Sequence, residues 1–411
     1  MSLNEWPAYK RVPLDVVSAS GSDLVTRDGR RVLDLYGGHC VNTLGAGDPG
    51  LAKVIADQWA RWSFATNLLD HAPRREFLAA WERLMPAGDW NAFVTNSGAE
   101  ANENALKAAL SITGRRRVVS FAGAFHGRTG GAAAVSDTKR PAYPSLPFET
   151  LRLPWSDISA AEKIIDASIG AVILEPIQSL AGVREPGSGF LEALRRRCDT
   201  TGALLVFDEV QTGNGRLGTY WASQHYGVLP DLFTTAKGAG GGFPIGLTFA
   251  RAALASSAPE GLMGTTFGGG PVALAAASEI ARRISAPGFL EHVRAVAAAF
   301  RASCVRGPVV AIRGEGLLLG LVLEPGRKAA AVRDALLARG VLVGTCDDPS
   351  VLRLSPALNV PADAPARLSA ALDDAARELG PVKPEGASAE AAGDAGGTGA
   401  AKSLAPAGAR T

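Results

Sequence analysis

Between residues 91 and 250 the chain alternates short, unbroken apolar runs with longer stretches whose apolar positions return at helical spacing. The runs "NAFVTN" (91–96), "RRVVSFAG" (116–123), "GAVILEPI" (170–177) and "ALLVFDEV" (203–210) predict strands. "DLFTTAKG" (231–238) and "PIGLTFA" (244–250) add two more. The stretches "AEANENALKAALSITG", "SAAEKIIDAS" and "GFLEALRRRCDTTG" between them predict amphipathic helices, and "PVALAAASEIARRI" (271–284) a further one. Strands that are apolar throughout and alternate with helices imply a mostly parallel sheet covered on both faces. Beyond residue 285, "AVRDALLARG–VLVGT" and "VLRLSPAL" predict a smaller α+β unit.

At 411 residues the chain is long for one core. The pattern divides it into an N-terminal segment (1–45) packing with the small domain, a large domain (46–285), a small C-terminal domain (286–380) and a tail (381–411). The tail is Ala, Gly, Pro and Ser with almost no large apolar side chain, so it is expected to be disordered. Net charge is +2, which gives no reason to expect nucleic acid or an anionic membrane as partner. The first residues, "MSLNEWPAYKRVP", carry no signal-type apolar core, and no apolar run is long enough for a bilayer. Cys40, Cys198, Cys304 and Cys346 are scattered, which predicts reduced thiols without zinc or disulfides in a cytoplasmic protein.

Three features carry the chemistry. The apolar run Leu204 to Phe207 ends in two adjacent carboxylates, Asp208 and Glu209, and a buried carboxylate needs a cation or hydrogen-bond donors. In "VTNSGAEANENALKAAL", Ser97 and Glu100 form an S-x-x-E helix start, where Gly98 allows close backbone approach and free N–H groups suit a phosphate. In "TTAKGAGGGFPIG", Lys237 follows an apolar strand, and a desolvated lysine there suits Schiff-base formation with an aldehyde. The glycines after it precede a strand-like run, so the strand–G-x-G-x-x-G–helix context of a dinucleotide-binding dehydrogenase is missing. A phosphate cradle, a buried Asp and a strand-end Lys together point to pyridoxal phosphate.

Over about residues 10 to 378 the sequence resembles the class III aminotransferases, in the acetylornithine aminotransferase-like branch. "NSGAEANENALK", "FHGRT", "ILEPIQ", "DEVQTGNGRLG", "PDLFTTAKGAGGGFPIG" and "GTTFGGGP" occur in the family's order. The resemblance implies pyridoxal-phosphate transferase fold type I, with a mostly parallel seven-stranded sheet in the large domain. It implies that Ser97, Gly98 and Ala99 hold the cofactor phosphate, and that Phe125 and Val210 cover the two ring faces. Asp208 would meet the ring nitrogen, with Glu209 in the same cofactor motif, and Gln211 the phenolic oxygen. Lys237 would hold the cofactor and shuttle the proton. Thr266 would reach the partner subunit's cofactor, which implies a homodimer with shared active sites. His126 is taken as structural.

The same resemblance assigns Arg128, Thr265 and Arg353 to the substrate. Two arginines suit glutamate and 2-oxoglutarate, each with two carboxylates. Gly38 stands where free-ornithine enzymes have a tyrosine, which favours an N-acylated diamino acid, acetylornithine first, as amino donor. This implies a place in amino-acid and specifically arginine biosynthesis. Other donors remain open: succinylornithine, free or carrier-bound lysine, ornithine or 4-aminobutyrate. An aminomutase of the same fold would have Met in place of Gln211, and a non-catalytic relative would have lost Lys237, Asp208 or the phosphate loop. The chain departs from the family at "EPIQSLAGV", where Ser179 and Leu180 replace Gly and the Glu that pairs with the second arginine, and at Gly270, which replaces an asparagine.

Overall fold

The computed structural model describes residues 3–9, 11–139, 143 and 145–382. The six predicted strands of residues 91–250 and one more, Glu149–Leu153, assemble into one seven-stranded sheet. Its order is Trp90–Thr95, Gly246–Arg251, Leu232–Thr235, Leu204–Asp208, Ile169–Leu174, Arg117–Phe121 and Glu149–Leu153. Only Gly246–Arg251 runs against its neighbours, so the other six strands end at the same edge. Every residue of Ile169–Leu174 and Leu204–Asp208 is buried, which is why these runs are apolar on both faces rather than alternating.

Helix Gly98–Thr113 packs on the sheet and is bounded at both ends by sequence. Ser97 caps its start by accepting from the Glu100 N–H, and Gly114, at φ 67°, closes it in the left-handed region. Elsewhere in the core, Trp81, Trp221, Phe233 and Phe249 form an aromatic cluster, with the two indole N–H groups donating to the carbonyls of Ala277 and Leu84.

Two smaller sheets complete the described chain. Val309–Glu315, Leu318–Leu323, Val351–Leu354 and Gly344–Thr345 form an antiparallel sheet. Val16–Ser20, Asp23–Thr26 and Arg31–Asp34 form another, closed by Val341–Leu342 in parallel pairing with Arg31–Asp34. The run "VLVGT" is therefore divided at Val343 between two sheets. The edge strand Glu149–Leu153 carries exposed and half-buried positions and has no strong apolar signature, so the sequence pattern missed it. Strand "ALLVFDEV" also ends early: Asp208 is its last residue, and Glu209 and Val210 lie in the turn beyond. Most of the tail expected to be disordered, from residue 383 onward, lies outside the described residues. Among the described residues, no helix is long and apolar enough to cross a membrane.

Candidate active site

Because six strands end at one edge, the residues that follow them meet there, as ligand-binding residues do in open α/β sheets. They enclose a cavity of about 600 Å³ lined by Ser97, Gly98, Ala99, Phe125, Arg128, Asp208, Val210, Gln211 and Lys237. An adjoining chamber of about 470 Å³ shares Phe125, Arg128, Gln211 and Lys237 and adds Tyr36, Leu180 and Arg353. Nine of the residues singled out in the sequence thus face one cavity, and Arg353 faces its extension.

Asp208 is 4 % exposed and fully engaged. Its Oδ2 accepts from Asn102 Nδ2 at 2.7 Å and is 2.8 Å from His126 Nδ1, and its Oδ1 accepts from the Val210 N–H at 3.0 Å. Asn102 also donates to the His126 carbonyl and accepts from the Thr234 hydroxyl at 2.6 Å, so its amide orientation is fixed from three sides. Each such bond to a charged group contributes about 1.5–3 kcal/mol, which offsets the cost of keeping a carboxylate out of water. Asn102 was not singled out in the sequence. Its signal was an amide on the buried face of a helix, one turn after Gly98.

Glu209, which the sequence places in the cofactor motif, satisfies local backbone donors in the structure. Its Oε2 accepts from the Ala222 N–H at 2.6 Å and the Thr212 hydroxyl, and its Oε1 accepts from the Ser223 N–H at 3.0 Å. It therefore caps helix Ala222–Tyr226 and does not line the cavity. Burial pushes its carboxyl up to about 7 despite those bonds. Glu175, beyond strand Ile169–Leu174, does line the cavity. One of its oxygens accepts from the Phe125 N–H at 2.9 Å; the other is buried without a partner among the described residues. Burial pushes this carboxyl up to about 7, with the neighbouring Asp208 charge adding to the rise.

Lys237 follows strand Leu232–Thr235 and has φ 45°, a left-handed conformation that a side-chain-bearing residue rarely adopts. Its amine is pushed below the ordinary lysine value, by burial first. That increases the share of neutral, nucleophilic amine at neutral pH. At the helix start, the N–H groups of Gly98 and Ala99 have no intrahelical acceptor and face the cavity. A Cβ on Gly98 would stand 3.0 Å from Val210 Cγ1, so glycine there lets the helix end close against the Val210 side chain.

The segment Gly37–Cys40 is a left-handed turn, with φ of 57°, 57°, 65° and 66°. For His39 and Cys40 that conformation costs roughly 1–2 kcal/mol each. His39 lines both chambers and packs against Tyr36, its ring tilted by 53° with centroids 4.6 Å apart. It is pushed down to about 4, by burial first and then by the charges of Arg353, Lys237 and Arg128. At neutral pH it is therefore an uncharged imidazole.

Arg353 is 1 % exposed. It donates to Ser179 Oγ at 2.9 Å, Gln211 Oε1 at 3.4 Å and Tyr36 Oη at 2.7 Å, and its Nε has no acceptor among the described residues. Among the described residues no carboxylate pairs with it; Leu180 lines the chamber where the family has glutamate. Tyr36 can lie there because residue 344 is glycine: a Cβ on Gly344 would stand 2.2 Å from the Tyr36 ring. Arg128, by contrast, is exposed at the mouth, where it donates to Tyr9 Oη at 3.3 Å. Thr265 and Thr266 lie outside both chambers of their own chain. The Thr265 hydroxyl accepts from Gly268 N–H and Asn96 Nδ2, and Thr266 is exposed.

Residues 6–375 match the family model described as aminotransferase class-III. The acetylornithine aminotransferase of Rhodobacter capsulatus is 39% identical over 391 residues, covering 91% of this chain and 97% of that protein. The succinylornithine transaminase of Citrobacter koseri is 38% identical over 385 residues, covering 87% and 92%. Among solved structures, the N-acetylornithine aminotransferase of Stenotrophomonas maltophilia K279a superposes with a TM-score of 0.79 at 30% identity, covering 91% of this chain and 98% of that one.

Proposed function

The chain belongs to the class-III aminotransferases, and we propose that within that family it acts on an N-acylated diamino acid. Its reaction would move the terminal amino group of that donor, acetylornithine first, to 2-oxoglutarate, giving a semialdehyde and glutamate. The chain is a transaminase and its cofactor is pyridoxal phosphate. The cavity suits that group: two residues whose N–H groups lack an intrahelical acceptor at the helix start, the buried Asp208 and Lys237 line one space, with Phe125 and Val210 in its walls. When bound, pyridoxal phosphate supplies an aldehyde for covalent attachment and a ring that withdraws electrons from the reacting carbon.

The chain's own residues then have distinct tasks in this reading. The N–H groups of Gly98 and Ala99 and the Ser97 hydroxyl hold the phosphate. Asp208, oriented by Asn102 and His126, would face the ring nitrogen, where a carboxylate favours the protonated form. Gln211, already an acceptor for Cys40 and Arg353, is placed for the phenolic oxygen. Lys237 anchors the cofactor and then moves the proton at the reacting carbon, a task suited to its depressed basicity.

One observation carries the substrate reading: Arg128, Lys237 and Arg353 line a single chamber, so carboxylates on either side of the reacting amine can each meet a guanidinium. The names of the relatives support an N-acylornithine as the donor. A homodimer with shared sites belongs to the same proposal. Thr266 is exposed beside Phe64 and Phe267, whose rings touch each other while remaining exposed. The four free thiols suit a cytoplasmic location, and an arginine-biosynthetic role follows from the proposed donor.

A donor panel tests the reading. Acetylornithine, succinylornithine, ornithine, lysine and 4-aminobutyrate are compared with 2-oxoglutarate as acceptor, with Lys237→Ala as the inactive control. The N-acylated ornithines should give the highest kcat/KM. Preference for a free diamine or 4-aminobutyrate would overturn the donor class while leaving the reaction type intact.

A further inference from the structure

Among the described residues the Arg353 guanidinium has no counter-ion, and the groups around it do not provide one. Its acceptors, the Ser179 and Tyr36 hydroxyls and the Gln211 carbonyl oxygen, are neutral. Among the described residues Asp347 is the one acid lining the Arg353 chamber, and it pairs with Lys139; Asp208 and Glu175 line the larger cavity beside it. A second guanidinium, that of Arg128, lines the same chamber. A buried charge of one sign, left unpaired, costs several kcal/mol. Neutral dipoles solvate such a charge but do not cancel its field on the neighbouring Arg128.

We propose that Arg353 holds a small inorganic monovalent anion, chloride in ordinary buffers, whenever no substrate carboxylate occupies it. The ion lies in the chamber against the guanidinium, beside Leu180. An apolar neighbour favours an anion that sheds water easily, so bromide and nitrate bind more tightly than fluoride. The ion thus acts as an exchangeable counter-ion, where an acidic side chain would be a permanent one. It keeps the chamber near neutrality while an amine donor without a carboxylate at its reacting end is bound, and it leaves when the dicarboxylate arrives. This competition, though not the ion site itself, rests on the reading of Arg353 as the dicarboxylate's partner.

The experiment is chlorine-35 line broadening on the holoenzyme at constant ionic strength, with isethionate as the inert anion. It is run on wild type, Arg353→Gln and Leu180→Glu, with and without 2-oxoglutarate. Wild type should broaden the line, and saturating 2-oxoglutarate should remove the effect. Leu180→Glu, which supplies an internal carboxylate, should weaken chloride roughly tenfold or more. It keeps the test valid if Arg353→Gln folds poorly. No protein-dependent broadening, or equal chloride affinity in all three proteins, overturns the proposal. If that happens while 2-oxoglutarate still binds wild type and not Arg353→Gln, the dicarboxylate reading stands alone. If broadening depends on Arg353 and Leu180 but 2-oxoglutarate does not displace it, the anion site stands and the dicarboxylate reading fails.

Discussion

On the floor of the cavity Asp208 receives Asn102, His126 and the Val210 N–H, whereas on its wall Arg353, among the described residues, reaches only neutral oxygens and leaves one N–H without an acceptor. Both groups are charged and both are almost fully buried. A charge that the protein satisfies completely is a fixed part of the site, suited to a group that stays bound through every turnover. A charge left incomplete is completed by whatever enters, and so favours ligands that come and go. The contrast matches a resident cofactor on the floor and an exchanging carboxylate on the wall.

Removing the floor charge should have the largest effect. Asp208→Asn keeps the shape of the site but places a neutral amide among donors arranged for a carboxylate. We expect kcat to fall roughly a hundredfold or more, with cofactor still retained. A kcat near that of wild type would show that the Asp208 charge does not act on the reaction.

Changing the wall should have an intermediate effect, confined to one half of the reaction. Leu180→Glu adds a carboxylate that competes for Arg353. The half-reaction with glutamate should weaken relative to that with the diamino donor by about 1–3 kcal/mol. Stopped-flow absorbance of the cofactor follows each half separately. An equal change in both would remove Leu180 and Arg353 from carboxylate selection.

The smallest effect probes the floor's one incomplete acid. Burial raises the Glu175 carboxyl from 4.5 to about 7 in the folded protein. Its contribution to stability is therefore fully present below pH 4.5 and is lost as pH rises through about 7. Thermal unfolding of the holoenzyme between pH 6 and pH 8.5 should show wild type losing about 1 kcal/mol or more relative to Glu175→Gln. Parallel pH curves for the two proteins would show that the carboxyl ionises freely in the folded state.

The sequence made the sheet and most of its edge legible because fully buried parallel strands are unbroken apolar runs, and the residues just after them converge. Ser97, Asp208 and Lys237 could be found in this way. The fate of Glu209 could not. Side chains near a strand end alternate in direction, so adjacent acids part company, and which one turns to the cavity depends on where the strand stops. Asn102 was hidden for a related reason: its value lies in three partners from three other segments. Tyr36 and His39 depend on a left-handed turn that two side-chain-bearing residues would not suggest from propensity. Tyr9 touches Arg128 from an N-terminal segment with no periodic signal at all.

The division at Val343 leaves the chain without slack at one point. Val341–Leu342 is registered to Leu33 and Asp34 in one sheet, and Gly344–Thr345 to Arg353 and Leu352 in the other. Tyr36 follows the first pairing by two residues, and Arg353 lies within the second, so the contact between them spans a joint one residue long. Extending or shortening that joint by a residue would shift one register against the other and turn every following side chain to the opposite face. Length variation is therefore forbidden here, although neither flanking strand exceeds two residues. A spacing of one residue far along the chain sets the distance between the arginine and the tyrosine that steadies it.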